Sequence, residues 1–491
     1  MALTFTTKSG DATGASADAL IVPIGAGAAI PEAIAGAFEG GLAGVLTTRG
    51  FTGKAGEIAS FPTFGRLGAA SVVLTGTGEQ SAESGRWGEA LRRAYGAAIK
   101  RARDEGARTV AVAAPAGAGA EELGAIVEGL SLALYRFDRY KSGAATPAKA
   151  IEAIELWANG DASAAVAHGE AVAAGVALAR DLVNTISDDK TPPQIAEWAQ
   201  AVASEAGLAC RVLDGAALRA GGYNAILTVG KGSAAEPRLI EMSYEPTGGA
   251  TKTVAIVGKT ITFDSGGLDL KSADGMYSMK TDMGGGGSVL GAMRAVAALK
   301  PNVKVIGILT AAENMPSGTA MRPSDVVQAL NGKTFEIGNT DAEGRMVLAD
   351  AVTHAARAGA DEIIDLATLT GAKMVALGSL TVGAMGNDQG LMDRFLASAA
   401  AAGERVWQLP TWDEYKDELK SDIADLKSTG GRGGGAITAA LFIGEFVEGT
   451  PWVHLDIAGS AATAADGPYT PKGATGVMVR SLLRYLEDAG K

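Results

Sequence analysis

Short apolar runs alternate with longer stretches of helical period along most of the chain. In the first third, the runs at 19–24, 71–75 and 109–115 read as buried strands. The stretches at 30–46, 86–103 and 121–134 repeat apolar residues every three or four positions, as amphipathic helices do. Beyond residue 180 the alternation resumes, with strand-like runs at 225–229, 239–243, 253–257, 303–310, 362–369 and 453–457. Between the two regions, after Thr146-Pro147, the chain turns alanine-rich and helical. The fold class expected is α/β with two domains, each a mostly parallel or mixed sheet flanked by helices. Their bounds are an N-terminal α/β domain over 1–150, a linking helical segment over 151–178 and a C-terminal domain over 179–491.

A chain of 491 residues is too long for one ordinary core, which agrees with two domains. Its 47% hydrophobic residues exclude a disordered chain, and its 68 glycines point to tight turns and close packing. The net charge of −12 opposes general attraction to nucleic acid or to an anionic membrane, both of which need a basic surface. One cysteine, Cys210, forms no internal disulfide, and with three histidines it builds no zinc-finger framework. No apolar stretch reaches the ~20 residues of a membrane span, and the start lacks a basic segment followed by an apolar run. A cytoplasmic location is the expectation.

Several familiar motifs fail on inspection. Gly25-Ala-Gly27 and Gly76-Thr-Gly78 follow strands, yet Ile30 and Ser81 stand where a dinucleotide fingerprint needs its last glycine. Gly258-Lys-Thr260 and Gly332-Lys-Thr334 lack the upstream glycine of a phosphate loop, which is Thr253 in one and Val327 in the other. Neither H-E-x-x-H nor G-x-S-x-G occurs. The histidines, His168, His354 and His454, read as packing or surface residues. The glycines at 284–287 open a helical pattern, where close packing and ligand approach are equally good readings.

The carboxylates of the C-terminal domain stand apart because they lie at strand ends and glycine turns: Asp264, Asp282, Asp341 and Glu343. Taken singly, Asp341 reads as a helix cap, Asp264 as a turn residue and Asp282 as a solvated charge. Brought together, four carboxylates repel one another unless cations intervene, and two divalent ions would balance them. Lys271 and Arg345 would then be free to face a developing oxyanion. Lys259 could join a metal only as the neutral amine.

Asn339-Thr340-Asp341-Ala342-Glu343-Gly344-Arg345 resembles the signature of the leucyl aminopeptidase, or cytosol aminopeptidase, family of dinuclear metallopeptidases. In order along the chain, the segments 257–267 with Lys271, 279–285, 313–318, 365–371 and 454–459 resemble the same family, from Arg180 to the end. The resemblance makes the C-terminal domain catalytic. It implies a metal centre of Lys259, Asp264, Asp282, Asp341 and Glu343, with Asp264 and Glu343 bridging two divalent ions, Mn or Zn, with Co also admitted. Lys271 would polarise the scissile carbonyl, and Arg345 would hold a bicarbonate-like anion or the tetrahedral species.

One metal would take the substrate's free amine, which makes the implied activity that of an exopeptidase. Met279, Thr368, Leu369, Gly371 and Ala458 resemble the residues that align the substrate and line its first side-chain pocket. Thr260, Lys373 and Ala461 depart from residues frequent in the family, and the inferred pocket is roomy. The family forms homohexamers. Three other readings compete: a two-metal phosphoesterase, a peptide-binding member without activity, and a DNA-binding one, the last opposed by the acidic charge.

Overall fold

The computed structural model describes residues 3–142 and 150–491. Its contacts divide the chain into two compact units, Met1–Ala173 with Ala401–Gly403 and Ala465–Lys472, and Ala174–Ala400 with Glu404–Ala464 and Gly473–Lys491.

The first unit holds six strands: β1 (Thr4–Ser9), β2 (Ala19–Gly25), β3 (Ile58–Pro62), β4 (Ser71–Gly78), β5 (Thr109–Ala113) and β6 (Ala153–Ala158). They pair in the order β1-β6-β5-β2-β4-β3, parallel except for β3 against β4. The central strands are apolar runs because both faces are covered, and Leu20, Val72, Leu74 and Ala111 share one core cluster. The expected linking helix begins as strand instead: Ile154, Leu156 and Ala158 alternate inward in β6, between β1 and β5, and the helix starts only at Ser163. The expected helix at 30–46 is two, Glu32–Ala37 and Gly41–Thr48, parted where Glu39 and Gly40 take positive φ. Gly76 serves packing, since a Cβ there would lie 2.0 Å from the Lys54 carbonyl.

The second unit is built on β7 (Ala209–Leu213), β8 (Arg238–Tyr244), β9 (Thr253–Asp264), β10 (Lys304–Asn314), β11 (Val326–Gln328), β12 (Thr334–Glu336), β13 (Glu362–Ala367), β14 (Val382–Gly386), β15 (Val406–Gln408), β16 (Leu426–Lys427) and β17 (Trp452–Asp456). Eight strands form one sheet in the order β15-β14-β17-β13-β9-β10-β8-β7, while β11, β12 and β16 form a small separate sheet. The four central strands, β17-β13-β9-β10, run parallel, and antiparallel pairs flank them. Their C-terminal ends therefore open on one edge, where Asp264, Asn314, Thr368 and the residues after Asp456 emerge together.

Two helices fix that edge. Gly284–Leu299 lies so close to the sheet that a Cβ on Gly285 would stand 2.1 Å from the Leu366 carbonyl, and one on Gly286 would stand 2.1 Å from Thr260 Oγ1. Close packing thus accounts for the glycine run. Glu343–Arg357 is buried along almost all its length and presents Glu343 in its first turn. The run at 225–229, expected as a strand, is the helix Asn224–Gly230. The Asp350 carboxylate decides this, accepting hydrogen bonds from the N–H groups of Ala225 (2.9 Å) and Ile226 (3.1 Å) in its first turn, and from Leu330 N–H (2.8 Å).

Candidate metal centre

Four carboxylates and two lysines converge at the open edge of the eight-stranded sheet. Asp264 closes β9, Lys271 lies on the glycine turn that follows, and Asp282 ends a short 3-10 turn over Met279–Thr281. Asp341 and Glu343 straddle the entrance of the helix Glu343–Arg357. Oxygens of Asp264, Asp341 and Glu343 lie within 4.8 Å of one another, among the described residues the set of acidic side chains able to hold a metal ion.

Each charged group is pinned by the protein. Lys259 Nζ, fully inside, lies 2.7 Å from Asp282 Oδ2 and 2.7 Å from Glu343 Oε1, and donates to the Thr368 carbonyl at 2.9 Å. Thr368 Oγ1 donates to Asp282 Oδ1 at 2.7 Å. Lys271 Nζ lies 2.9 Å from Asp264 Oδ2 and 2.5 Å from Asp341 Oδ1. Asp264 Oδ1 is committed elsewhere, to Gly266 N–H (2.9 Å) and Asn314 Nδ2 (2.8 Å). Glu343 Oε2 is buried without a hydrogen-bond partner.

The electrostatics show an excess of negative charge. Burial, then the nearby Glu343, pushes the Asp264 carboxyl up to about 6, against the pull of Lys259 and Lys271. Burial also raises Asp282 well above the carboxylate range despite Lys259, and raises Asp341 despite Lys271. Glu343 is held below its usual value: burial disfavours its charge, but Lys259 prevails. The lysines show the converse. Burial works against both ammonium groups, yet Asp282 and Glu343 around Lys259, and Asp264 and Asp341 around Lys271, keep their pKa values above the lysine range. Carboxylates this short of positive charge fit divalent cations, which favour oxygen donors.

Arg345, in the first turn of the helix Glu343–Arg357, donates from Nη1 to the Ser428 carbonyl at 2.9 Å, while its buried Nε has no partner. Burial brings its pKa down to about 10, against the pull of Glu343 and Asp456. The expected substrate residues lie on the same edge. Thr368 and Leu369 follow β13, Gly371 opens the helix Gly371–Leu377, and Ala458 follows β17. Met279 heads the turn that carries Asp282, whose N–H donates to the Met279 carbonyl at 3.3 Å. A Cβ built on Gly284 would meet Ala461 Cβ at 2.9 Å and Thr368 Cγ2 at 3.3 Å, so Thr368 and Ala461 lie together against the start of the helix Gly284–Leu299.

Reading the sequence missed several residues that hold this arrangement. Asn314 carries no charge and sits at an unremarkable strand end, although the segment 313–318 was part of the family pattern. Asp365, fully buried, accepts from Trp452 Nε1 at 2.6 Å and lies 2.6 Å from His454 Nδ1, so that histidine packs beneath the edge rather than at it. Asp456 and Lys373 join the loops above it. In the sequence Asp456 is marked only as a charge ending an apolar run, and Lys373 only as a departure from the residue frequent in the family.

The chain matches two family models, "Cytosol aminopeptidase family, catalytic domain" over residues 177–483 and "Cytosol aminopeptidase family, N-terminal domain" over 23–144. A probable cytosol aminopeptidase of Geobacter sulfurreducens is 43% identical over 455 residues, 91% of each chain. Among solved structures, the bottromycin maturation enzyme BotP in complex with Mn superposes with a TM-score of 0.87 at 36% identity, covering 97% of this chain and 100% of the other. A mutant of tomato leucine aminopeptidase superposes with a TM-score of 0.89 at 33% identity, covering 99% and 97%. These likenesses lend no support to the phosphoesterase, DNA-binding or peptide-binding readings.

Proposed function

The chain belongs to the cytosol aminopeptidase family and is a metal-dependent aminopeptidase of the leucyl type, and we propose that Lys259, Asp264, Asp282, Asp341 and Glu343 hold two divalent ions at its catalytic centre. The observation that carries this is the convergence of the Asp264, Asp341 and Glu343 oxygens within 4.8 Å, beside two lysines and an unpartnered Glu343 oxygen. Asp264 and Glu343 are the bridging carboxylates in this reading. Mn or Zn, with Co also admitted, would suit these oxygen donors together with Lys259, whose ammonium would give up its proton to join as the neutral amine. Bound ions would supply Lewis-acid polarisation and a water of lowered pKa.

The residues of the chain do the rest. Lys271 keeps its charge at neutral pH, because Asp264 and Asp341 hold its proton, and so offers a fixed cation to the oxyanion that forms on the scissile carbonyl. Arg345, with one buried N–H free of protein partners, holds a bicarbonate-like anion or the tetrahedral species. The backbone at Leu369 and Gly371 aligns the peptide, and Met279, Thr368, Gly371 and Ala458 wall the pocket for its first side chain. Thr368 links the two functions, since its hydroxyl orients Asp282 and its carbonyl holds Lys259.

The decisive experiment is hydrolysis of leucine p-nitroanilide and its N-acetylated analogue, before and after chelation and with Mn or Zn restored. Cleavage of the free amine only, lost to chelator and regained with metal, is expected; no cleavage with any metal would sink the assignment. No described helix is long and apolar enough to cross a membrane. We place the enzyme in the cytoplasm as a homohexamer, as the family resemblance implies, and light scattering on the eluting protein tests the assembly.

A further inference from the structure

Lys373 is fully buried in the helix Gly371–Leu377, where an ammonium group is costly unless each N–H finds an acceptor. It finds three: the Ala458 carbonyl at 2.8 Å, Ser460 Oγ at 2.9 Å and the Gly378 carbonyl at 3.1 Å. A buried carboxylate of opposite charge does the complementary work. Asp456, fully buried at the end of β17, accepts from Thr370 Oγ1 at 2.6 Å and from the N–H groups of Ala458 at 3.1 Å and Leu369 at 3.3 Å. Thr370 Oγ1 in turn accepts from Lys373 N–H at 3.0 Å, capping the helix.

Two charges thus stitch together the same two segments, the loop after β13 and the loop after β17. Neither hydrogen-bonds to Lys259, Asp264, Asp282, Asp341 or Glu343, so the metal chemistry does not account for them. What the two segments share is Thr368, Leu369 and Gly371 on one side, and Ala458 and Ala461 on the other. We propose that Lys373 and Asp456 are positioning residues that fix the separation of these loops and thereby the size of the first side chain the enzyme accepts. The inference rests on Thr368, Leu369, Gly371 and Ala458 lying along the substrate. Without the Lys373 ammonium, the Ala458 carbonyl and Ser460 hydroxyl lose their common anchor, and Asp456 loses one opposite charge that acts on it, Arg345 supplying another. The loop after β17 relaxes away from the helix, and the pocket widens.

Full-length, metal-loaded Lys373→Met and Ser460→Ala test this. Both are compared with the parent for kcat and KM on leucine and phenylalanine p-nitroanilides, for binding of free L-leucine and L-phenylalanine by calorimetry, and for metal content and Tm. A methylene in an apolar pocket is worth ~10–200-fold in selectivity, so a loosened wall should lower the leucine-to-phenylalanine ratio of kcat/KM by about five- to tenfold. The change should appear mainly in KM, be smaller but of the same sign in Ser460→Ala, and be matched by the amino-acid affinities, with metal content unchanged. A ratio within about twofold of the parent in both variants, with only Tm lowered, would reduce the network to a structural role and overturn the proposal. If Lys373→Met does not fold, Ser460→Ala decides alone. A parent inactive on both substrates with metal supplied would instead overturn the aminopeptidase reading, and the inference with it.

Discussion

Asn314 Nδ2 donates to Asp264 Oδ1 across 2.8 Å, which commits one oxygen of that carboxylate to the protein and leaves Oδ2 facing Lys271. Asn314 also donates to the Thr340 carbonyl at 3.0 Å, so a single amide ties the end of β9 to the turn that delivers Asp341. Groups that orient a metal-binding carboxylate fix its direction, and losing one typically costs about 10–100-fold in metal affinity.

Replacing Asn314 by Ala should therefore weaken metal binding about 10- to 100-fold, while the helix and sheet around it persist. Metal retained after dialysis against graded free Mn or Zn, read beside the far-UV dichroism, checks this. Unchanged retention would mean that Asp264 needs no such orientation.

Lys271→Met should lower kcat on leucine p-nitroanilide by about 10²–10³-fold, the usual cost of one oxyanion-stabilising group, and leave KM far less affected. A loss confined to KM would show that Lys271 binds substrate rather than its transition state.

Metal should also stabilise the fold. The buried carboxyls of Asp264, Asp282 and Asp341 are short of positive charge, and a ligand that binds only the folded chain raises stability in proportion to ln(1 + [L]/Kd). A saturating excess of about 100 Kd gives roughly 3 kcal/mol, visible as a rise in Tm with Mn or Zn that chelator reverses. A Tm indifferent to metal would contradict the assigned ligands.

Asp350 gives a pH signature away from the catalytic centre. Burial pushes its carboxyl up to about 7, and the N–H groups of Leu330, Ile226 and Ala225 only partly oppose the shift. Because the folded value lies above the unfolded one, ionisation costs stability: the penalty is absent below the unfolded value of 3.8, grows through the interval and is complete above about 7. It is worth roughly 4 kcal/mol at most. The Tm of the parent relative to Asp350→Asn should accordingly fall as pH rises across that window. Asp350→Ala, which leaves three backbone donors without their acceptor, should cost about 3 kcal/mol or more at the acid end of that window, and less as pH rises through it. A difference between parent and Asp350→Asn that ignores pH would mean the carboxyl is already ionised at the acid end.

Much of this protein is legible in its order of residues. Apolar runs buried on both faces mark the central parallel strands, and β2, β4, β5, β8, β9, β10, β13 and β17 lie where those runs predict. The carboxylates at strand ends stand out together because charge placed next to glycine turns and apolar strands has few structural uses, whereas Lys259 enters only through the family resemblance. Local pattern failed where a distant group made the choice. Residues 225–229 read as a strand from their apolar run, but Asp350, far along the chain, supplies acceptors for the first N–H groups of a helix. Ala153–Ala158 is alanine-flanked and helix-like in composition, yet pairing with β1 and β5 makes it a strand.

The sequence by itself determined the α/β class, the apolar cores and the set of ionisable residues available for chemistry, because these depend on residue type and on periods of two and 3.6 along the chain. Tertiary structure alone decided which of those residues meet. Parallel strands separated by tens of residues bring Asp264, Asn314, Thr368 and Ala458 to one edge, where distances of a few ångströms set hydrogen bonds, raise carboxyl pKa values and bury Lys373 among three oxygens. Coulomb forces and hydrogen bonds act through space over such distances, and a separation along the chain does not encode them.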